Sequence, residues 1–149
     1  MVYEIHNSTS ALERVTTFVL ENEHLLPDPL SLHVDIRSYC QKLLERGRVF
    51  VYEENEMIQG VCMGYINDTT TFISHLQVLL IMTSAQHKGA GRQLVGHFIE
   101  ESKKAGMRET LLTCDLDNKR ALAFYRRFGF IFSETPHPNP EKTFMTYPL

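Results

Sequence analysis

No tryptophan occurs in this chain, and cysteine is scarce: Cys40, Cys62 and Cys114 are its only three. They are far apart and odd in number, so they form neither a disulfide framework nor a CxxC or Cys/His zinc set. The histidines His6, His24, His97 and His137 also lack metal-ligand spacing, and no metal site is expected. A reduced, cytoplasmic setting is the simplest reading of such cysteines. No apolar run approaches the roughly 20 residues of a membrane span. The opening VYEIHNSTS carries an acid and polar residues where a secretory leader would be apolar, so no leader and no membrane partner are expected. Internal repeats and low-complexity segments are absent. The net charge of −3 argues against general nucleic-acid binding.

What is present is an ordinary globular mixture, 43% apolar and 22% charged, over 149 residues. That length suits one domain spanning 1–149 with a real core. The charge is uneven. Residues 1–75 hold five Lys/Arg against eleven Asp/Glu, whereas residues 76–149 hold ten against seven. Such a split suits either two partners of opposite sign or plain surface scatter.

Periodicity gives the elements. VYEIHN (2–7) alternates as a short strand. Ser10 and Glu13 have capping-box spacing, and Leu12, Val15 and Val19 share one face of a helix that stops near His24. Asp28-Pro29 predicts the start of a second helix. That helix has a buried stripe of Ile36, Cys40, Leu43 and Leu44, and Gly47 stops it. Residues 48–54, 56–68 and 70–83 read as three strands of a meander, with ENE (54–56) as the first turn. A helix is expected over 86–105, a strand over 109–116, and a helix capped by Asn118 and stopped by Gly129. Strands over 130–135 and 142–149 close the chain, joined by the proline-rich turn PHPNPE. The order β-α-α-β-β-β-α-β-α-β-β describes an α/β (α+β) domain, one mixed, mostly antiparallel sheet with helices on both faces.

The stretch SAQHKGAGRQLV (84–95) stands out. Glycine is a poor helix former, yet Gly89 and Gly91 lie where a strand runs into a helix. A turn of this kind aims consecutive N–H groups at one point, and the helix behind adds roughly half a positive charge. Lys88 and Arg92 add charge at the rim. The construction suits a pyrophosphate. It is not a dinucleotide fingerprint, because Leu94 stands where a third glycine is needed, and no GKS or GKT follows. A plain strand-to-helix turn with exposed basic groups is the other reading of these residues.

Two motifs together resemble a known family. Gln86-x-x-Gly89-x-Gly91 is similar to the (Arg/Gln)xxGx(Gly/Ala) signature of the GCN5-related N-acetyltransferase (GNAT) superfamily. NKRALAFYRRFGF (118–130) is similar to that family's NxxAxxFYxxxGF, with Asn118, Ala121, Phe124, Tyr125, Gly129 and Phe130 in place. The resemblance is close over most of 72–132; before that only the element order matches. Gln86 replaces the commoner arginine, and Thr83 stands where a proline often follows the strand.

The resemblance implies a GNAT-like fold and acetyl transfer from acetyl-CoA, as substrate, to a primary amine by direct attack in a ternary complex. It implies that Gln86, His87, Lys88, Gly89, Ala90, Gly91 and Arg92 cradle the pyrophosphate. The pantetheine arm would meet backbone at Ile81 and Met82, and Asn118 and Ala121 would border the cofactor. Tyr125 would protonate the leaving thiolate, since a phenol of pKa near ~10 is protonated at neutral pH. His75, at an offset where some relatives carry a catalytic Glu or His, is the candidate base for the amine. Each also has a plainer reading: core aromatic for Tyr125, helix cap for Asn118, and strand histidine for His75. Lys119, Arg120, Arg126 and Arg127 read first as a solvated face, with a minor role near the 3′-phosphate of CoA as the other reading. The acceptor, a small molecule or a protein amine, is not legible, and a homodimer is implied only because relatives are often dimers. Two other functions stay open: a non-catalytic CoA-binding module of this fold, and a nucleotide- or phosphate-binding protein using the glycine turn alone.

Overall fold

The computed structural model describes residues 1–149. In chain order the elements are β1 (Val2–Glu4), α1 (Thr9–Asn22), α2 (Ile36–Arg46), β2 (Arg48–Glu54), β3 (Met57–Tyr65) and β4 (Ile73–Ile81). There follow α3 (Ala90–Lys104), β5 (Glu109–Asp115), α4 (Lys119–Phe128), β6 (Ile131–Phe132) and β7 (Lys142–Pro148). The expected order holds, and the differences are at element ends. Ser8, not Ser10, caps α1, its side chain accepting from the Ala11 N–H. The second helix starts later than Asp28-Pro29 suggests: residues 30–32 make only a single 3-10 turn, and Asp35 caps α2 by accepting from the Ser38 N–H. The stretch between α1 and α2 is therefore a long connection. α3 begins at Ala90 rather than at residue 86, because a 3-10 turn and the glycine turn intervene.

The seven strands form one sheet in the order β1-β2-β3-β4-β5-β7-β6. Every neighbouring pair is antiparallel except β4 with β5. Helices cover both faces. Val49, Val51, Val61, Met63, Val78 and Leu80 pack with α1 and α2 on one side. Phe50, Cys62, Leu76, Leu112, Cys114 and Met145 pack with α3 and α4 on the other. Phe98 of α3 is fully buried there, a burial worth about 2–3 kcal/mol. No helix is long and apolar enough to cross a membrane.

The feature that positions the site is on β4. Its parallel pairing with β5 covers only Ile73↔Glu109, Ser74↔Thr110 and His75↔Leu111. Immediately beyond, Met63 pairs with Val78 but Gly64 pairs with Leu76, so Gln77 is an extra residue on β4. A bulge bends its strand and increases the local twist. It also reverses the alternation: Leu76 faces α3, whereas Val78 and Leu80 face α1 and α2. β4 thus swings away from β5, and the two strands part as a wedge. At its apex three buried hydroxyls hold the strands together. Ser74 Oγ lies 2.7 Å from Thr110 Oγ1 and accepts from Ser102 Oγ of α3 at 2.9 Å.

Close approach at the bulge explains Gly64. A Cβ there would sit 2.1 Å from the His75 carbonyl oxygen and 2.9 Å from the Phe98 ring. Gly64→Ala therefore forces β3 off β4 at the bend. Thermal melting should register a loss of about 1–3 kcal/mol, and an unchanged midpoint would contradict this account of the bulge.

Candidate active site

The wedge opens a cavity of about 280 Å³. Its floor is Leu79, Leu80 and Ile81 of β4; Gln86, Gly89, Gly91 and Arg92 of the glycine turn close one end. Asn118, Arg120, Ala121, Phe124 and Tyr125 of α4 form one wall, and Leu25, Leu26 and Pro27 of the α1–α2 connection form the other. A wider, shallower groove of about 580 Å³ lies beside α1, lined by residues such as Leu20, Leu32 and Arg37. It contains none of the motif residues, and the smaller cavity carries the chemistry.

The glycine turn is built as a donor cluster. Gly89 is the N-cap of α3 with φ +76°, and no side chain caps the helix. The Gln86 N–H donates to Thr83, that of Lys88 to Ala85 and that of Gln93 to Gly89, whereas those of His87, Gly89, Ala90, Gly91 and Arg92 make no hydrogen bond. Helix N-termini normally satisfy such amides with a cap or a ligand. Gly89 is needed for its left-handed backbone, since a Cβ there would meet nothing within 4 Å. Gly91 is needed for space: its Cβ would press to 3.3 Å against the Phe124 ring.

Not every expected residue joins the cavity. Ile81, Gln86, Gly89, Gly91, Arg92, Asn118, Ala121 and Tyr125 meet at its surface, but Met82, His87, Lys88, Ala90 and His75 do not. Met82 was expected to offer free backbone, but its N–H donates to the Gln59 carbonyl on the β3 side. By strand alternation the N–H and C=O groups of Leu79 and Ile81 then face the unpaired side. The Gln86 side chain already occupies the Ile81 carbonyl at 3.1 Å. Leu79 thus takes the place anticipated for Met82. Ala90, the first residue of α3, is fully buried. The Lys88 ammonium is drawn 3.0 Å to Glu54 instead of the turn. A hydrogen bond from the Tyr52 hydroxyl, then Lys88, holds the Glu54 carboxyl below its usual range. His75 lies before the bulge, in the segment paired with both Tyr65 and Leu111, roughly 13 Å up the strand from Leu79 at ~3.3 Å per residue. The bend that opens the cavity begins beyond it, so the structure does not bring His75 to the cavity.

Tyr125 stands at the inner wall, its ring edge-on to Phe124 and Phe130 at 5.3 and 5.5 Å. Burial pushes its phenol well above the ordinary tyrosine range, with Cys62 and Cys114 adding to the effect. The neutral, donating form is therefore the one present at neutral pH. Asn118 caps α4 by accepting from the Ala121 N–H at 3.2 Å, while its side-chain nitrogen makes no hydrogen bond. Sequence reasoning missed Leu79 and the segment Leu25–Pro27 as wall residues; it took Arg120 chiefly for a solvated face and Phe124 for the inner face of α4, and both line the wall. Arg120 and Phe124 sit at i, i+4 beside Ala121, a helical spacing that could have placed them together. Nothing local marks Leu25–Pro27. No carboxylate and no imidazole lines the cavity, and neither Arg92 nor Arg120 is in an ion pair.

Comparison with known proteins agrees with this architecture. The chain is 30% identical over 119 residues to the N-alpha-acetyltransferase MAK3 of Arabidopsis thaliana, a match covering 73% of this chain and 62% of that protein. It is 28% identical over 83 residues to N-alpha-acetyltransferase 30 of Schizosaccharomyces pombe, covering 54% of this chain and 55% of that one. The matches thus span little more than half of these curated relatives. Among solved structures, the ribosomal-protein-S18-alanine N-acetyltransferase of Escherichia coli superposes with a TM-score of 0.75 at 19% identity, over 99% of this chain and 94% of its own. The PaiA N-acetyltransferase of Thermoplasma acidophilum, in complex with coenzyme A, gives 0.76 at 17% identity, over 100% and 99%. At such identities these two speak for the fold alone. Residues 12–130 match the acetyltransferase (GNAT) family, and the chain belongs to that family.

Proposed function

We propose that this protein transfers the acetyl group of acetyl-CoA to an amine, and that the amine is the α-amino group of a peptide or protein. The observation that carries the reading is the set of partnerless amides at Gly89, Gly91 and Arg92, at the end of a cavity with two free arginines and no acid. That end suits the diphosphate of CoA. Arg120, on the α4 wall of the cavity, suits the remaining phosphate of the same ligand. The open edge of β4 at Leu79 and Ile81 offers hydrogen bonds to an extended amide-bearing chain, as an added strand would use. An N–H there can also polarise the thioester carbonyl.

The remaining chemistry divides between Tyr125 and the acceptor. As the amine attacks, the C–N bond forms and the C–S bond breaks; the departing thiolate takes a proton from the Tyr125 hydroxyl, and the proton released by the attacking nitrogen passes through water to restore the phenol. The cavity wall offers no group to take the proton from an ammonium. An acceptor with an appreciable neutral fraction near pH 7 fits such a site. An α-amino group, with a pKa of about 7.7–8.0, is roughly a tenth neutral at that pH, whereas a lysine near ~10.4 is neutral to well under about a thousandth. The N-alpha-acetyltransferase names of the curated relatives favour the same acceptor class. No cysteine lines the cavity, which fits direct attack in a ternary complex.

Gly89→Ala should weaken CoA binding in isothermal titration, because its left-handed backbone would cost about 1–2 kcal/mol. Binding of ATP as tight as that of CoA would sink the acetyl-CoA reading. Tyr125→Phe should keep acetyl-CoA affinity within about twofold and lower kcat about 100-fold or more; full activity would remove the phenol from the mechanism. With a peptide acceptor, kcat/KM should rise with pH and level off near the pKa of its α-amine. A lysine side chain acetylated equally well at pH 7 would contradict the acceptor assignment.

A further inference from the structure

The wall formed by Leu25–Pro27 belongs to the long α1–α2 connection, which sequence reasoning took for the start of a helix. The residue after that wall, Asp28, is tied in two directions. His33 Nε2 lies 2.8 Å from both its carboxylate oxygens. Across the cavity side of the sheet, Lys142 Nζ at the start of β7 lies 3.9 Å from Asp28 Oδ2 and 3.6 Å from Asp115 Oδ1. Lys142 and Asp115 are direct cross-strand partners at the wide end of β5. Asp115 leads through residues 116–117 into Asn118 on the opposite wall of the cavity. The chain Asp28–Lys142–Asp115 thus links the connection that carries one wall to the strand that leads to the other. The link is electrostatic, partly exposed and longer than a hydrogen bond, so it can open and close without disturbing the core.

We propose that Lys142 and Asp28 form a strap that holds Leu25–Pro27 over the cavity and so slows the escape of bound CoA. They are positioning residues: neither lines the cavity, and both act through the wall they tether. The inference rests on the reading of the cavity as a CoA site. It differs from a simple charge effect in sign. If Lys142 acted only by attracting an anionic ligand, removing it would weaken binding, and removing the acid Asp28 would strengthen it. A strap makes both removals act alike.

The test is the dissociation rate of CoA, measured by a stopped-flow chase on the full chain, for Lys142→Met, Asp28→Asn and Lys142→Arg. The strap requires koff to rise about two- to fivefold in both Lys142→Met and Asp28→Asn, the size expected of a partly exposed ion pair. Lys142→Arg, which keeps the charge and reach, should restore a rate close to that of the parent. Opposite shifts in the first two variants, or unchanged koff in both while the parent still binds CoA, overturn the strap and leave the CoA site standing. A parent protein that does not bind CoA takes down the reading of the cavity, and the strap with it.

Discussion

The site depends on one extra residue in β4. Gln77 has no partner on β3, and beyond it the strand bends away from β5, with which it has just paired through His75↔Leu111. The parting leaves backbone groups of Leu79 and Ile81 facing a cavity rather than a neighbouring strand. Inside a protein such groups require a partner. A sheet opened in its middle therefore offers a row of hydrogen bonds to an extended ligand, and the hydroxyl cluster of Ser74, Thr110 and Ser102 fixes where the opening begins. The bend also carries the strand into the turn whose Gln86, Gly89, Gly91 and Arg92 close the same cavity.

Charge is distributed unevenly around the cavity: its turn end is basic and its inner wall is apolar. Arg92, Arg120 and the uncapped start of α3 gather at the wall without an acid among them. Lys88, which sits beside them in sequence, is neutralised by Glu54 and leaves the field to the backbone. Tyr125 is instead embedded among Phe124, Phe130 and the buried Cys62 and Cys114. In water the phenol would titrate near ~10; in this setting the charged form is disfavoured further, so the hydroxyl remains a donor. One helix, α4, supplies both environments, because Arg120 stands in its first turn at the cavity wall and Tyr125 on its buried face.

The element order, the cap at Asn118, the glycine turn and the inward face of α4 were all legible from local spacing, because each depends on residues close in sequence. Ser8 for Ser10 and Asp35 for Asp28 were misread for the same reason in reverse. Several polar residues near each helix start can cap it, and the packing of the first buried turn, at Ala11 and Ile36, selects among them. His75 and Met82 lie outside the cavity for a different reason. His75 was read from its offset to Gln86 and Met82 from the family's parallel, and the bulge at Gln77 between them changes which side of β4 each position presents.

By itself, the sequence determined which segments become strands and helices, and that a glycine turn would leave the start of α3 uncapped, since hydrophobic period and backbone tolerance are properties of neighbouring residues. Only the tertiary structure decided that β4 would leave β5 after His75, that Leu79 rather than Met82 would face the gap, and that Leu25–Pro27 would close it from the far side. Those outcomes come from strand register and from contacts between segments distant in the chain, and no local pattern of side chains encodes them.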